Sequence, residues 1–250
     1  MLGVIEYLVA SIIGISNMIL WGLYGDLMVE DFKLFKVLRS LFLGLFFGSL
    51  LYYLNPSLPL FIVAISTIAL ERLFTEIYKA LFRKENQDKY KIPSDLNIKI
   101  NIVYKRTFGI LLLGVVVLSL CFYDFHINRF LIIVIAGILG ATGGALKDAS
   151  FEGFSLKKFV RTPIVSIICG IIIYTFFPSV KGKYFLISVF GFERIVSEFY
   201  KKIYKGRIPG KFKEDLNKNL LWQRKREKLL YLYAADIIAL LILMLCFNPR

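Results

Sequence analysis

The chain has 250 residues, of which 57% are hydrophobic and 16% aromatic, and a mean hydropathy of +0.66, which is more apolar than an ordinary soluble domain. A formal net charge of +14 would suit nucleic acid, but all except four of the 32 Lys and Arg lie in or beside alternate connections between apolar runs. That placement makes the charge a matter of membrane topology and argues against a nucleic-acid partner.

Eight apolar runs of the length that crosses about 30 Å of hydrocarbon follow one another. They span roughly Leu2 to Leu23, Leu38 to Leu54, Leu58 to Lys79, Thr107 to Tyr123, Phe130 to Leu146, Phe159 to Phe177, Tyr184 to Ile203 and Leu229 to Phe247. The first has no basic stretch before it and carries Glu6, so it is expected to be a retained helix and not a cleaved signal. The lysines and arginines outside the basic connections are Arg129, Lys181, Lys183 and Arg250, which puts both termini outside and the basic connections in the cytoplasm.

A shift of 122 residues aligns the two halves. Asp26 falls on Asp148, Glu30 on Glu152, Lys36 on Lys158, Arg39 on Arg161, Gly48 on Gly170, Tyr52 on Tyr174 and Pro56-Ser57 on Pro178-Ser179. Farther along, Ile65-Ser66 meets Ile187-Ser188, Glu71-Arg72 meets Glu193-Arg194, and Glu76 meets Glu198. After a two-residue adjustment Asp95-Leu96-Asn97 meets Asp215-Leu216-Asn217. The register predicts an all-α polytopic bundle of eight transmembrane helices, formed by parallel duplication of a four-helix unit. Residues 1–124 and 125–250 are the two repeats of one membrane-embedded domain. Because each unit has an even number of helices, the copies enter the membrane the same way and share a pseudo-twofold axis along its normal.

The repeated charges fall into groups. At the end of the first run Asp26 and Glu30 share a face if that segment is helical, as do Asp148 and Glu152, which gives two carboxylates to one cation or basic partner. Gly140, Gly143 and Gly144, just before the second pair, permit a break or a close helix contact. Lys36 with Arg39, and Lys158 with Arg161, stand at the start of the next helix. There they anchor to headgroups, dock a phosphate, or pair with the preceding carboxylates.

Glu71, Arg72 and Glu76, repeated as Glu193, Arg194 and Glu198, are the most informative. Ten residues separate the outer Lys183 from Glu193. At the helical rise that is about 15 Å, half the hydrocarbon thickness. Charges at that depth face a bundle interior and have partners. Arg and Glu four residues apart can pair within one helix, whereas Glu71 and Glu193 point to another face and are candidates for ligand contact. Asp236 sits inside the last run opposite Val116 under the adjusted offset, so it is either a one-sided proton or cation residue or a partner for an interior arginine.

Cys121, Cys169 and Cys246 are spaced as packing residues and the lone His126 lies in a short outer loop, so no metal ligand set is expected. There is no Walker loop, strand-linked GxGxxG, HExxH, GxSxG or Asp-rich diphosphate box. No cofactor is expected beyond a bound cation. The expected partners are membrane lipids, a small ion or solute, and a homo-oligomer or larger membrane complex. Three functions fit: a channel, transporter or flippase-like protein; a membrane enzyme acting on a phosphorylated lipid headgroup; and a scaffold subunit whose charges are structural. For the topology, alkaline phosphatase fused after Arg250 is expected to be active and green fluorescent protein fused there to stay dark. The opposite pattern would place the C-terminus inside.

Overall fold

A computed structural model describes residues 2–27, 32–82, 102–122, 128–152, 156–180, 182–205, 213 and 216–246. For residues 2, 79–80, 102, 105, 115–117, 119–122, 143–152, 158 and 216–227 it describes the backbone alone. Among the described residues the chain is all helical: α1 (Leu2–Asp26), α2 (Leu34–Leu54), α3 (Leu60–Leu81), α4 (Ile102–Phe122), α5 (Arg129–Glu152), α6 (Leu156–Phe176), α7 (Gly182–Glu198) and α8 (Leu216–Cys246).

The helices run past the apolar runs into charged sequence. α8 starts at Leu216 and not near Leu229, and α5 passes Gly140, Gly143 and Gly144 without a break to Glu152. Hydropathy marks where lipid would lie, but the backbone hydrogen-bond ladder continues until a breaker stops it. Asn55 and Pro56 stop α2, and Ser57 caps the turn by donating from its backbone N–H and its hydroxyl to Asn55 Oδ1, at 3.2 and 2.7 Å. α7 passes into a wider π-helical turn over Phe199–Tyr204, closed by the Lys205 N–H on the Tyr200 carbonyl at 3.0 Å.

Four segments, Gly3–Asp26, Leu34–Leu54, Phe159–Phe176 and Lys228–Cys246, are long and apolar enough to cross a membrane. Large apolar side chains cover their outer faces, Phe42 being 71% and Leu245 62% exposed. Soluble proteins rarely leave so much apolar surface bare.

α3 is central. From Phe61 through Ile68 every residue is at most 2% exposed, so this helix is enclosed on all sides. It packs on α1, α2 and α7, and α8 reaches it as well. The contacts are close because glycines face its backbone: a Cβ at Gly14 of α1 would overlap the Ala64 carbonyl oxygen, and one at Gly191 of α7 would overlap that of Ile65. Where α3 meets α7, the hydroxyls of Ser66 and Ser188 hydrogen-bond at 3.1 Å, and these residues are 122 apart in sequence.

Other contacts recur at the same offset. Ser11 of α1 lies on Gly48 of α2, and Ile133 of α5 lies on Gly170 of α6. The Tyr7 ring meets Tyr52 edge to face at 5.2 Å, while Arg129 stands over the Tyr174 ring at 5.2 Å. α8 departs from this pattern, lying against α1 and α3, whereas α4 packs on α3.

Replacing Gly191 with Val is expected to push α7 off α3 and cost about 1–3 kcal/mol, the usual range for overpacking. A thermal unfolding midpoint equal to wild type in the same detergent would show that this approach is not needed.

Candidate functional site

The buried charges gather where α3 and α7 leave the apolar core. Glu71, on α3, is 1% exposed and turns toward α2. Its Oε1 accepts hydrogen bonds from Ser40 and Thr75, each at 2.8 Å, and the Arg39 guanidinium stands 3.9 Å away. Glu193 on α7 is 8% exposed and accepts from Ser197. Thr75 and Ser197 correspond under the 122-residue offset, as do Ser40 and Thr162, and Arg39 and Arg161. Each glutamate therefore carries a hydroxyl donor four residues on, the geometry that one helical turn provides.

One residue along, the face changes. Arg72 pairs with Glu76 at 3.0 Å, and Arg194 pairs with Glu198 at 3.2 Å. The two pairs also act on each other, since Arg72 lies in the field of Glu198 and of Asp26. Glu198 has Lys201 at 3.6 Å and Lys202 at 3.4 Å as further partners. The π turn places these lysines, because it begins directly after Glu198 and widens the helix there. Lys202 then reaches across to α1, donating to the Trp21 carbonyl at 3.1 Å. The Trp21 ring, 3% exposed, has Arg194 at 5.9 Å and Lys202 at 6.0 Å over it.

The expected site residues are thus partly brought together. Glu71 and Glu193 do not address one another; each bonds to hydroxyls on its own side. Arg39 approaches Glu71, while Arg161 stacks over Tyr200 at 5.8 Å. α1 ends at Asp26, Lys36 is half-buried near the start of α2, and Glu30 lies outside the described residues, as do the side chains of Asp148, Glu152 and Lys158. Buried Nε atoms of Arg39, Arg72, Arg161 and Arg194, and Oε2 of Glu71, have no hydrogen-bond partner. Four arginine Nε–H donors and one carboxylate oxygen thus stand buried without a hydrogen-bond partner.

Asp236 stands apart. Among the described residues no arginine pairs with it; its neighbours are Asn17 of α1 and Tyr233, one turn earlier on α8. Sequence reasoning passed over Asn17, Trp21, Ser40, Thr75, Ser197 and Lys202. The hydroxyls were recoverable, since Ser40 matches Thr162 and Thr75 matches Ser197, and Asn17 is the one amide inside the first apolar run. Among the described residues no group of three or more His, Cys, Asp or Glu is placed to hold a metal.

Removing one charge should separate the roles of the two pairs. Glu198→Gln leaves Arg194, Lys201 and Lys202 facing a neutral amide and is expected to cost about 3–5 kcal/mol, the range for breaking a buried pair. Glu76→Gln, on a side chain 22% exposed and paired with Arg72, should cost clearly less in the same chemical-unfolding titration.

Comparison with protein-family models, with curated proteins and with solved structures found no match to this chain.

Proposed function

We propose that the chain is a multi-pass membrane transport protein, of channel, transporter or flippase-like type, whose working site is the repeated arginine–glutamate constellation of α3 and α7. In this reading all eight helices span the bilayer, residues 1–124 and 125–250 are parallel repeats, both termini lie outside, and the basic connections face the cytoplasm. The 122-residue separation of Ser66 and Ser188 supports it, because equivalent residues touch each other only at a twofold axis. The recurrence of the Ser11–Gly48 contact as Ile133–Gly170 supports it independently.

One observation carries the functional side: two buried glutamates and four arginines recur at matching places about that axis and keep polar atoms without partners. A charge near the bilayer centre costs about 2.5–3.5 kcal/mol even on the mildest scales. A structural role would be served as well by apolar packing, so duplicated charges with unused donors point to a charged solute or lipid headgroup as cargo. Glu71 and Glu193 would hold or counter it, with Arg72 and Arg194 as the gate and Arg39 and Arg161 meeting it from the cytoplasmic side.

A second reading rests on Glu198. Its enclosure by Arg194, Lys201 and Lys202 is what a purely structural tie between helices looks like, and it favours a scaffold subunit.

Reconstituted in liposomes, the protein is expected to raise the flux of ions, or the flip of fluorescent anionic lipid, at least about tenfold over protein-free vesicles. In this assay Glu71→Gln with Glu193→Gln should return the rate to background, a loss of about 1.4 kcal/mol or more of barrier lowering. Full flux in that double variant, in folded protein, would remove the glutamates from the mechanism. No flux from wild type, with a folded Arg194→Glu, Glu198→Arg charge swap, would instead favour the scaffold.

A further inference from the structure

α6 carries on its exposed face an open groove of about 430 Å³, lined by Leu156, Lys157, Val160, Arg161 and Ile164. Its wall is almost wholly apolar: Leu156, Val160 and Ile164 are 65%, 48% and 52% exposed, and the two basic residues line it with their methylene stems. Lys157 is exposed and lies two residues before the apolar segment Phe159–Phe176, while Arg161, one helical turn on, lies two residues inside it. The Arg161 guanidinium stands over the Tyr200 ring at 5.8 Å, and Lys205 stands over the same ring at 5.0 Å. Among the described residues no carboxylate pairs with Lys157, Arg161 or Lys205. The Nε of Arg161 is buried and has no hydrogen-bond partner. Arg161 therefore has two other cations as neighbours, and like charges on neighbouring turns repel unless an anion lies among them.

We propose that this groove binds one anionic phospholipid of the cytoplasmic leaflet, its phosphate held by Lys157 and Arg161 and one acyl chain lying along Val160 and Ile164. The proposal rests on the membrane topology proposed above and not on transport. Headgroup phosphates lie where an apolar span ends, and the two basic residues stand on either side of that boundary. A guanidinium matches phosphate oxygens with its fork of N–H donors, and the lysine adds a point charge. An arginine two residues into an apolar span needs a partner, and a phosphate at the boundary supplies one without burying a second charge. A free phosphate ion would meet the charges and leave the groove bare. A zwitterionic lipid would fill the groove and set its own cation against Lys157 and Arg161. An anionic phospholipid meets both the charge and the apolar wall.

The first half does not repeat the arrangement. Under the 122-residue offset Leu156, Lys157, Val160, Arg161 and Ile164 fall on Leu34, Phe35, Leu38, Arg39 and Phe42. Phe35, 77% exposed, takes the place of Lys157, and Arg39 approaches Glu71. One such site per chain is therefore expected.

Native mass spectrometry of the full chain, released from non-ionic detergent after titration with phosphatidylglycerol or phosphatidylcholine, reads this site without requiring that the protein move anything, so its failure and that of the flux assay are distinguishable. Wild type is expected to retain one phosphatidylglycerol, at least about tenfold more tightly than phosphatidylcholine. Lys157→Gln and Arg161→Gln should each weaken that binding by about fivefold, the worth of one basic residue beside an anionic lipid surface. Ile164→Trp, which fills the groove and keeps the charge, should weaken it as well. Lys33→Gln, exposed on the basic connection before α2, should bind as wild type does. Glycerol phosphate, which carries the same anion without chains, should not displace the lipid. Equal retention of the two lipids by wild type would overturn the proposal, as would undiminished binding in Lys157→Gln, Arg161→Gln or Ile164→Trp, or displacement by glycerol phosphate. If Arg161→Gln does not fold, Lys157→Gln, on an exposed side chain, decides the matter of charge alone.

Discussion

Everything in this molecule is built around the close approach of other helices to the backbone of α3. Gly14 and Gly191 leave α1 and α7 free to press on the carbonyls of Ala64 and Ile65, so α3 is gripped from two sides at adjacent residues. Without a hydrophobic drive between helices in lipid, such small-residue contacts and the hydroxyl bonds beside them supply the association. Ser66 to Ser188, and Thr67 to Ser11 at 3.3 Å, lie at that level. A helix enclosed so completely cannot rotate to release its charged end. The positions of Glu71, Arg72 and Glu76 follow from its packing and not from their own preferences.

That rigidity explains why consecutive charges part company. Successive residues on a helix are about 100° apart, so Glu71 turns to α2 and its hydroxyls while Arg72 turns to Glu76 and the field of Glu198. The carboxylate that bonds to Ser40 and Thr75 thus keeps one oxygen unused, and the arginine beside it is held away. Each of the two neighbours thus has its own partner of opposite charge, Arg39 for Glu71 and Glu76 for Arg72.

Much of this was legible in the sequence because the relevant signals are local and repeated. The eight helices follow from apolar runs, and the Arg72–Glu76 and Arg194–Glu198 pairs follow from helical spacing alone. What the residues could not give was direction across helices. Proximity in sequence offered Asp26 as a partner for Arg39, yet Arg39 approaches Glu71, because α2 packs along α3. The π turn was illegible for a similar reason: Phe199–Tyr204 carries no breaker, and only tertiary contact with α1 rewards the wider winding that brings Lys202 to Trp21. The late end of α5 and the early start of α8 were missed because hydropathy falls off before the helix does.

Four of the departures from the repeat meet at α1. Trp21 and Asn17 of α1 have Gly143 and Leu139 as counterparts, Lys202 has Ala80, and Asp236 has Val116. These four lie where α1 meets the end of α7 or the length of α8. If the halves had remained identical, both outer seams would carry the same contacts. Here one seam has gained a buried tryptophan under two cations and an amide facing a carboxylate, while the groups about α3 and α7 stayed matched. The match between the halves holds at the centre, where Ser66 of α3 meets Ser188 of α7, and fails at the seam that α1 forms with the end of α7 and with α8.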